Sequence, residues 1–421
     1  MDTKKVIAII AVIVVVAAGA AAAIVLTKDN GKKSYKSADN TGRLTVFGNA
    51  NNDDYLDDDD VAYLEDIIAG NKKETKFADA NQDGTIDQAD VDMVKKMVKR
   101  ESMKVNYLNV DNKVKSCSYP VNGKLVVLYN KTLEAIRTLG ASSQVIGTDD
   151  FTLTWSTYFP EFMSVTNVGN RGTPDEEKIL EIGTNAVITG TTQWYGKTLE
   201  QNVEPKGVDI IRLATWEEGQ VISGLITLGF LLGHEEEGYD YAEWADTLIS
   251  KVTDKLASAN LAKPSVIVLD ANNVYSTKKS GSGQFENSVT AGGNNVVASI
   301  SSDSSYYKTL DYEWIAAKDP EFIVFSQSNT AYNWDDAKLN EKMDSLKETF
   351  GDLSAAKNNK MHILNLEIFI GPSYPISILY MASWFYPDLF SDLDPAGELQ
   401  WYITNCCGLD MDVSTHGGFA L

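Results

Sequence analysis

The sequence predicts an α/β protein with two lobes joined by one long helix, preceded by a small all-α unit and an N-terminal transmembrane helix. Apolar strand-like runs alternate with helical patterns on both sides of residues 239–263. The pattern from Tyr239 to Ala259 is helical and contains neither Gly nor Pro. Alternating strands and helices are typical of parallel sheets with crossover helices, so we expect one such sheet in each lobe.

The first 27 residues predict a membrane anchor. Val6 to Leu26 carries no charged side chain, and at about 1.5 Å per helical residue it spans roughly 30 Å, the thickness of a bilayer core. Lys4 and Lys5 precede this run, which leaves the N-terminus in the cytoplasm and the bulk of the chain outside. A cleaved signal peptide is the alternative, because Ala17 to Ala23 offers small-residue cleavage sites. Residues 28–42 are polar and predict a flexible linker. We therefore expect a cell-surface protein, anchored to the cytoplasmic membrane by the N-terminal helix, with its bulk extracellular.

Composition excludes some functions and bounds others. The 421 residues call for several domains, and the net charge of −22 argues against nucleic acid as a partner, because a phosphate backbone requires a basic surface. Cys117, Cys406 and Cys407 are too few for a disulfide scaffold. One bridge from Cys117 to either of the others and three free thiols both remain open.

Residues 43–103 form an acidic block that contains two copies of a calcium-loop pattern. A hard cation takes six to eight oxygen ligands, and a Gly at the sixth loop position, here Gly84, permits the turn that points them inward. In the first loop Asn49 replaces the usual Asp and Asp54 replaces the Gly, so we expect weaker binding there. The predicted Ca²⁺ ligands are Asn49, Asn51, Asp53, Asp57 and Asp60 in the first loop and Asp79, Asn81, Asp83, Thr85, Asp87 and Asp90 in the second.

Each loop runs into a helical pattern, VAYLEDIIAG in the first copy and VDMVKKMVKR in the second. Two loop–helix units with Asp at loop position 12 resemble a dockerin, an all-α, EF-hand-like module. The resemblance implies calcium-dependent folding and docking to a cohesin-like partner on another surface protein.

The two α/β regions comprise residues 104–238 and 264–421, with residues 239–263 between them as the inter-lobe helix. The first contains KLVVLYN, QVIGTDD, AVITGTT and VDIIRLA, and the second contains SVIVLDA, EFIVFSQ and MHILNLE. The segments GTPDEEKILEIGTNAVITG, AGGNNVVASI and LDYEWIAAKDPEFIVFSQS, in this order, resemble class III substrate-binding proteins of ABC importers for iron-siderophores, haem and cobalamin. That resemblance implies two Rossmann-like lobes, a metal-chelate ligand held between them, and a permease and its ATPase as partners.

Aromatic residues on loops that should follow strands are the candidate ligand contacts. Flat chelates are gripped by aromatic faces, and a cation such as Arg171 or Arg212 could meet an anionic chelate. The candidates are Trp155, Tyr158, Arg171, Trp194, Tyr195, Trp216, Tyr275 and Trp334, with Tyr332 beside the last. The family resemblance further implies permease docking through one exposed Glu on each lobe, Glu177 and Glu313. Glu176 is an alternative to Glu177.

Nothing in the chain predicts catalysis. His234, His362 and His416 are scattered, without the spacing of a bare-metal site, and neither a nucleophile elbow nor a Cys/His pair is present. We therefore expect a binding protein rather than an enzyme. The alternatives are a dockerin-bearing surface protein that acts on or binds carbohydrate, and a purely structural surface protein.

Overall fold

The computed structural model describes residues 42–216, 219–300, 307–328, 332 and 336–420. The predicted transmembrane helix in residues 1–27, nearly all of the predicted linker and the candidate Trp334 lie outside the described residues. Within those described ranges, none of the helices combines the length and the apolarity needed to cross a bilayer.

The described chain begins with a helical pair and a hairpin. Each helix starts with an Asp capping box, in which Asp57 or Asp87 accepts from the backbone of the first turn. The hairpin strands are antiparallel. The elements are α1 (Asp58–Ile68), α2 (Gln88–Val98), β1 (Met103–Leu108) and β2 (Val114–Tyr119).

The N-terminal lobe is a five-stranded parallel sheet with the strand order β5-β4-β3-β6-β7. Its central strands are continuous buried apolar runs, as expected where helices cover both faces. All the strands point the same way, so their carboxyl ends share one edge of the sheet. The elements are β3 (Leu125–Val127), α3 (Asn130–Thr138), β4 (Val145–Thr148), α4 (Asp150–Leu153), β5 (Thr166–Asn167), α5 (Glu176–Glu181), β6 (Ala186–Thr189), α6 (Leu199–Asn202), β7 (Asp209–Arg212) and α7 (Val221–Leu232).

A single 25-residue helix, α8 (Glu235–Ala259), connects the two sheets. It begins four residues earlier than we expected, because Gly233, with φ of 75°, ends α7 immediately before it. Residues Tyr241, Trp244, Leu248 and Val252 recur at helical spacing and are buried. At about 1.5 Å per residue the helix is about 37 Å long, enough to run the length of a small domain.

The C-terminal lobe has a mixed sheet of order β11-β9-β8-β12-β13-β14, with the short strand β10 also paired to β8. Strands β8, β12 and β13 are parallel, whereas β9 and β14 run antiparallel to their neighbours. The elements are β8 (Ser265–Asp270), β9 (Ser276–Lys278), α9 (Gly283–Thr290), β10 (Asn294–Asn295), β11 (Tyr307–Thr309), α10 (Tyr312–Lys318), β12 (Phe322–Gln327), α11 (Asp336–Phe350), α12 (Ser354–Lys357), β13 (Met361–Asn365), α13 (Pro375–Phe385), α14 (Pro395–Asn405) and β14 (Gly418–Ala420).

One continuous apolar core joins the helical pair to the lobes. The cluster runs from Val46 and Met97 through α7 and α8 to residues of α13 and α14. Polar contacts also hold residues 43–103 to the body. Thr45 N donates to Thr227 Oγ1 at 3.1 Å, and the Tyr119 hydroxyl donates to the Met97 carbonyl at 3.1 Å. Residues 43–103, which we expected to form a module, pack onto the body of the protein in this structure.

Arg43 ties the first loop to α8. Its guanidinium contacts Asp54 at 2.9 Å on the loop and Asp246 at 2.8 Å on the helix. Next to this pair, the rings of Tyr55 and Tyr239 lie 4.4 Å apart. Asp54, which stands where a calcium loop usually has Gly, is therefore held by an arginine rather than by the loop.

Candidate functional site

The carboxyl ends of the N-lobe strands carry a cluster of aromatic rings. Tyr129 follows β3 and has a backbone φ of 88°, a left-handed conformation that residues other than glycine rarely adopt. Its backbone N–H donates to the Asp149 carboxylate at 2.7 Å. The Tyr129 ring stacks on Tyr195 at 4.9 Å and meets the edge of Trp216 at 5.8 Å. Strained backbone next to a strand end is typical of functional sites, because surrounding structure must hold it in place.

Arg171 lies over this cluster. Its Cζ is 4.3 Å from the Phe151 ring centroid, 5.1 Å from that of Tyr129 and 6.0 Å from that of Tyr195. These are distances at which a cation is attracted by aromatic faces. We call Tyr129, Phe151, Arg171, Tyr195 and Trp216 the aromatic face.

Gly190 and Trp216 show how tightly the aromatic face is built. A Cβ on Gly190 would lie 3.0 Å from Trp216 Nε1 and 3.2 Å from Tyr195 Cδ2, so the rings reach their positions only over a glycine. The Trp216 Nε1 donor is buried and finds no acceptor among the described residues. A buried N–H without a partner costs free energy, and a ligand acceptor would remove that cost. Trp194, which precedes Tyr195, is 47% exposed and extends the face outward.

A buried ionic cluster joins the two lobes beside the aromatic face. Lys131 Nζ lies 2.7 Å from Glu134 Oε2, and it donates at 2.8 Å to the carbonyl of Glu367, whose Oε2 is 3.4 Å away. The Tyr402 hydroxyl donates to the other oxygen of Glu134 at 2.9 Å. Lys131 and Glu134 belong to the N-terminal lobe and Glu367 to the C-terminal lobe. We call Lys131, Glu134 and Glu367 the seam cluster.

Burial sets the protonation of the seam cluster. It raises the pKa of Glu367 to about 7; the Lys131 ammonium opposes that rise and the Glu134 carboxylate adds to it. Burial alone would lower the pKa of Lys131, but Glu134 and Glu367 together raise it above its ordinary value. The pKa of Tyr129 is well above its ordinary value through burial, then Tyr195, then Glu367. The seam cluster is thus electrostatically coupled to the aromatic face.

The structure brings some predicted ligand contacts together and places others in the core. Arg171, Tyr195 and Trp216 belong to the aromatic face, and Trp194 flanks it. Trp155 and Tyr158 are buried, the Tyr158 ring lying 5.6 Å from Tyr332 of the opposite lobe. Tyr275 packs on Phe350 at 6.3 Å, within the C-terminal lobe. The last candidate, Trp334, is not among the described residues.

The Arg212 side chain is engaged entirely by groups of the protein. Its side chain is buried and binds Glu200 at 2.5 and 2.8 Å. It also donates to the carbonyls of Gly190, Tyr195 and Gly196. It therefore holds the loop that carries Trp194 and Tyr195, and the expectation that it could contact an anionic chelate is replaced by this supporting role.

The two predicted docking glutamates occupy equivalent positions on different lobes. Glu177 is the second residue of α5 and Glu313 the second residue of α10, each two positions after an Asp that caps the helix. Both are exposed. Glu176, the alternative, accepts from Thr198 Oγ1 at 2.5 Å and Asn202 Nδ2 at 2.7 Å, so its carboxylate is already engaged.

The predicted calcium loops use their side chains as acceptors for their own backbone. In the second loop Asp79 Oδ2 accepts from Gly84 N at 2.9 Å, and Asp90 accepts from the N–H groups of residues 80, 81 and 87. Within the part of the chain that is described, no three His, Cys, Asp or Glu side chains converge as a metal site. Asp79 Oδ1, however, is buried with no partner there, so this loop retains an unsatisfied oxygen that suits a cation.

The first loop fits a cation less well. The Asn49 side chain is fully buried, donates to the carbonyls of Leu44 and Asp53, and accepts from Asp53 N. All of its polar atoms are engaged within the protein. Its capacity as a first ligand is therefore lower than that of Asp79.

A protein-family model matches part of this chain, and several solved structures have a similar fold. Residues 125–365 match a family model described as periplasmic binding protein. No curated protein sequence matches. Among solved structures, the TroA-like periplasmic binding protein FepB of Veillonella parvula is 15% identical, with a TM-score of 0.58 over 70% of this chain and 95% of its own. The molybdate-binding protein MolA of Haemophilus influenzae is 15% identical, with a TM-score of 0.58 over 73% and 98%. The heme-binding protein RhuT of Roseiflexus is 19% identical, with a TM-score of 0.50 over 64% and 99%.

Proposed function

The chain belongs to the periplasmic binding protein family, and from that premise we propose that it is the solute-binding component of an ABC importer for a metal chelate. The proposal rests on the aromatic face at the carboxyl ends of the N-lobe strands, beside the contact between the lobes. In open α/β sheets, ligands bind outside the carboxyl ends of the strands. Proteins of similar fold include a molybdate-binding protein and a heme-binding protein.

The chemistry of the aromatic face favours a flat, anionic guest. Trp216, which is half-buried, and Trp194, which is 47% exposed, offer ring surface, and Arg171 places a positive charge 6.0 Å from the buried Tyr195 ring. A delocalised chelate gains from ring contact, and its negative charge is met by the guanidinium.

Binding by the full chain can be followed through tryptophan fluorescence. Ferrichrome, haemin and cobinamide are titrated separately, and we expect at least one to quench the emission. Arg171→Ala should weaken that binding about three- to thirtyfold, the range of a cation–π contact at a partly desolvated site. Arg100→Ala is the matched control, because Arg100 pairs with Glu235 on the surface. Unchanged fluorescence with all three ligands would overturn the chelate assignment.

Delivery to a permease is the second part of the proposal. Glu177 and Glu313 are exposed at the same helix position on opposite lobes, and two separated rim charges fix the register of docking. We expect Glu177→Arg with Glu313→Arg to leave chelate binding unchanged and to abolish stimulation of the cognate permease–ATPase. Equal stimulation by this variant would contradict the docking assignment. Anchoring through residues 6–26 is part of the same proposal.

Calcium binding at the second loop is the third part. The unpartnered Asp79 Oδ1 supports it, and the loop would hold the ion through Asp79, Asn81, Asp83, Thr85 and Asp87, with Asp90 closing the site. Asp79→Ala with Asp83→Ala should abolish the calcium-induced rise in helical circular dichroism. The same change at Asp58 and Asp59, which lie outside both ligand sets, should preserve it. A calcium titration that is unchanged by the loop variant would refute the assignment.

A further inference from the structure

A small cavity with several polar side chains in its lining lies where helix α9 meets the C-lobe sheet. It measures about 240 Å³ including the solvent at its mouth, and it is lined by Val268, Leu269, Asp270, Ser276, Thr277, Lys278, Gln284 and Ser326. Side chains alternate between the faces of a strand, and paired residues point the same way. Asp270 is paired with Ser326, so both side chains lie on the same face of the sheet. The same alternation puts Lys278 on that face, since its neighbour Thr277 is paired with Leu269.

Two buried polar groups at this cavity have no partner. Gln284 and Ser326 are each 5% exposed, and Gln284 Oε1 and Ser326 Oγ form no hydrogen bond with any described residue. Each unsatisfied group costs roughly 1–3 kcal/mol, and a guest that forms hydrogen bonds with both groups would remove that cost. The Ser326 hydroxyl can donate a hydrogen bond, and the Gln284 Oε1 atom can accept one. A guest that fits both must therefore carry an acceptor and a donor.

The charges around the cavity select a neutral guest. Lys278 supplies one positive charge and Asp270 one negative charge, and Asp270 Oδ1 accepts from the N–H groups of Asn272 and Asn273. Burial lowers the pKa of Lys278 to about 8, a shift that Asp270 opposes. A guest with a net charge would upset the balance of one positive and one negative side chain in this lining, which is costly for a buried group.

We propose that this cavity is a subsite for a primary carboxamide on the bound chelate, with Ser326 donating to the amide oxygen and Gln284 accepting from the amide nitrogen. The assignment rests on the proposed function, because it names which side group of the chelate the C-terminal lobe recognises. A carboxamide is neutral and offers one acceptor and two donors on adjacent atoms. A carboxylate of the same size offers no donor and adds a charge.

The cavity lies within reach of the seam. On α9, Asn287 follows Gln284 by one helical turn and donates to the Phe369 carbonyl at 3.1 Å, just beyond Glu367. Strands are about 4.8 Å apart, so the three spacings from β13 to β9 place Lys278 about 14 Å from the strand that leads to the seam cluster. A broad chelate that contacts the aromatic face can thus extend a side arm to the cavity.

The test compares two corrinoids that share one ring and differ in whether their side chains end in carboxamides or in carboxylic acids. Cobinamide carries primary carboxamides, whereas cobyrinic acid presents carboxylic acids on the same ring. We expect the full chain at pH 7.5 to bind cobinamide at least tenfold more tightly than cobyrinic acid. Ser326→Ala and Gln284→Leu should each weaken cobinamide binding about five- to thirtyfold, as expected when a buried hydrogen bond is lost. Ser299→Ala and Gln201→Leu, at exposed positions, are the matched controls.

Stability measurements separate loss of the subsite from loss of the fold. Ser326→Ala and Gln284→Leu remove groups that lack partners, so their thermal unfolding temperatures should equal or exceed that of the wild type. Equal affinity for the two corrinoids, or wild-type cobinamide binding by both variants, would overturn the subsite. If haemin or ferrichrome binds in an Arg171-dependent manner while these variants have no effect, the proposed function stands and the carboxamide subsite falls. If no chelate binds, both are overturned.

Discussion

Replacing Glu367 by Gln should change how the stability of the protein depends on pH. In the folded protein burial raises the pKa of Glu367 from 4.5 to about 7. A carboxyl group whose pKa is higher in the folded state binds its proton more tightly there. Its contribution to stability is therefore fully present below pH 4.5 and is lost as the pH rises through 7. A difference of that size corresponds to about 3 kcal/mol, and because the side chain is only 4% exposed, little solvent screening reduces it.

Urea unfolding followed by tryptophan fluorescence at pH 5 and pH 8 measures this difference. Gln cannot titrate, so Glu367→Gln should gain about 3 kcal/mol relative to the wild type between the two pH values. Any effect of the substitution that does not depend on pH, such as a change in side-chain packing, cancels in that comparison. Glu321→Gln is the control, because Glu321 forms an exposed pair with Lys360. If the difference between Glu367→Gln and the wild type is the same at both pH values, the assignment of a raised pKa to Glu367 is refuted.

Three further predictions test the supports of the site and of the helical pair. Gly190→Ala should lower the free energy of unfolding by about 1–3 kcal/mol and weaken chelate binding, because its Cβ would press on Trp216 and Tyr195; unchanged thermal stability and binding would contradict the packing. Arg212→Lys should cost about 3 kcal/mol in urea unfolding, because Lys cannot hold Glu200 and three carbonyls together; a cost below 1 kcal/mol would count against it. Arg43→Gln should lower the free energy of unfolding by about 2 kcal/mol, because the buried Asp54 carboxylate would lose the guanidinium that neutralises it. The same change at the exposed Lys72 should lower it by less than about 0.5 kcal/mol.

The α/β body was predictable because its signals are local. The runs KLVVLYN, AVITGTT and VDIIRLA correspond to β3, β6 and β7, since strands buried on both faces are continuously apolar. The inter-lobe helix was evident from a long helical pattern without Gly or Pro. Its exact start was not, because that start depends on the left-handed turn at Gly233, and a glycine can end a helix or lie within one.

The polar supports of the site could not be predicted, because their partners are remote in sequence. Lys131 and Glu367 are 236 residues apart, and KTLEAIR by itself has the pattern of an ordinary helix. Arg212 ends an apolar strand, where an exposed cation and a buried one have the same sequence pattern. The packing of residues 43–103 on α8 was missed for the same reason. An apolar helix face does not specify whether its own module or a neighbouring helix will cover it.

The shared core has a consequence for dissecting the molecule. Cutting the chain at residue 103 would strip Leu44, Val46, Val94 and Met97 from the surfaces of α7, β1 and β2 that they cover. The remaining polypeptide would expose a contiguous apolar patch to water. Such patches associate with one another, so the truncated protein should aggregate rather than remain a functional binding protein. Residues 43–103 are therefore an integral part of the folded protein and cannot be removed as a separate domain.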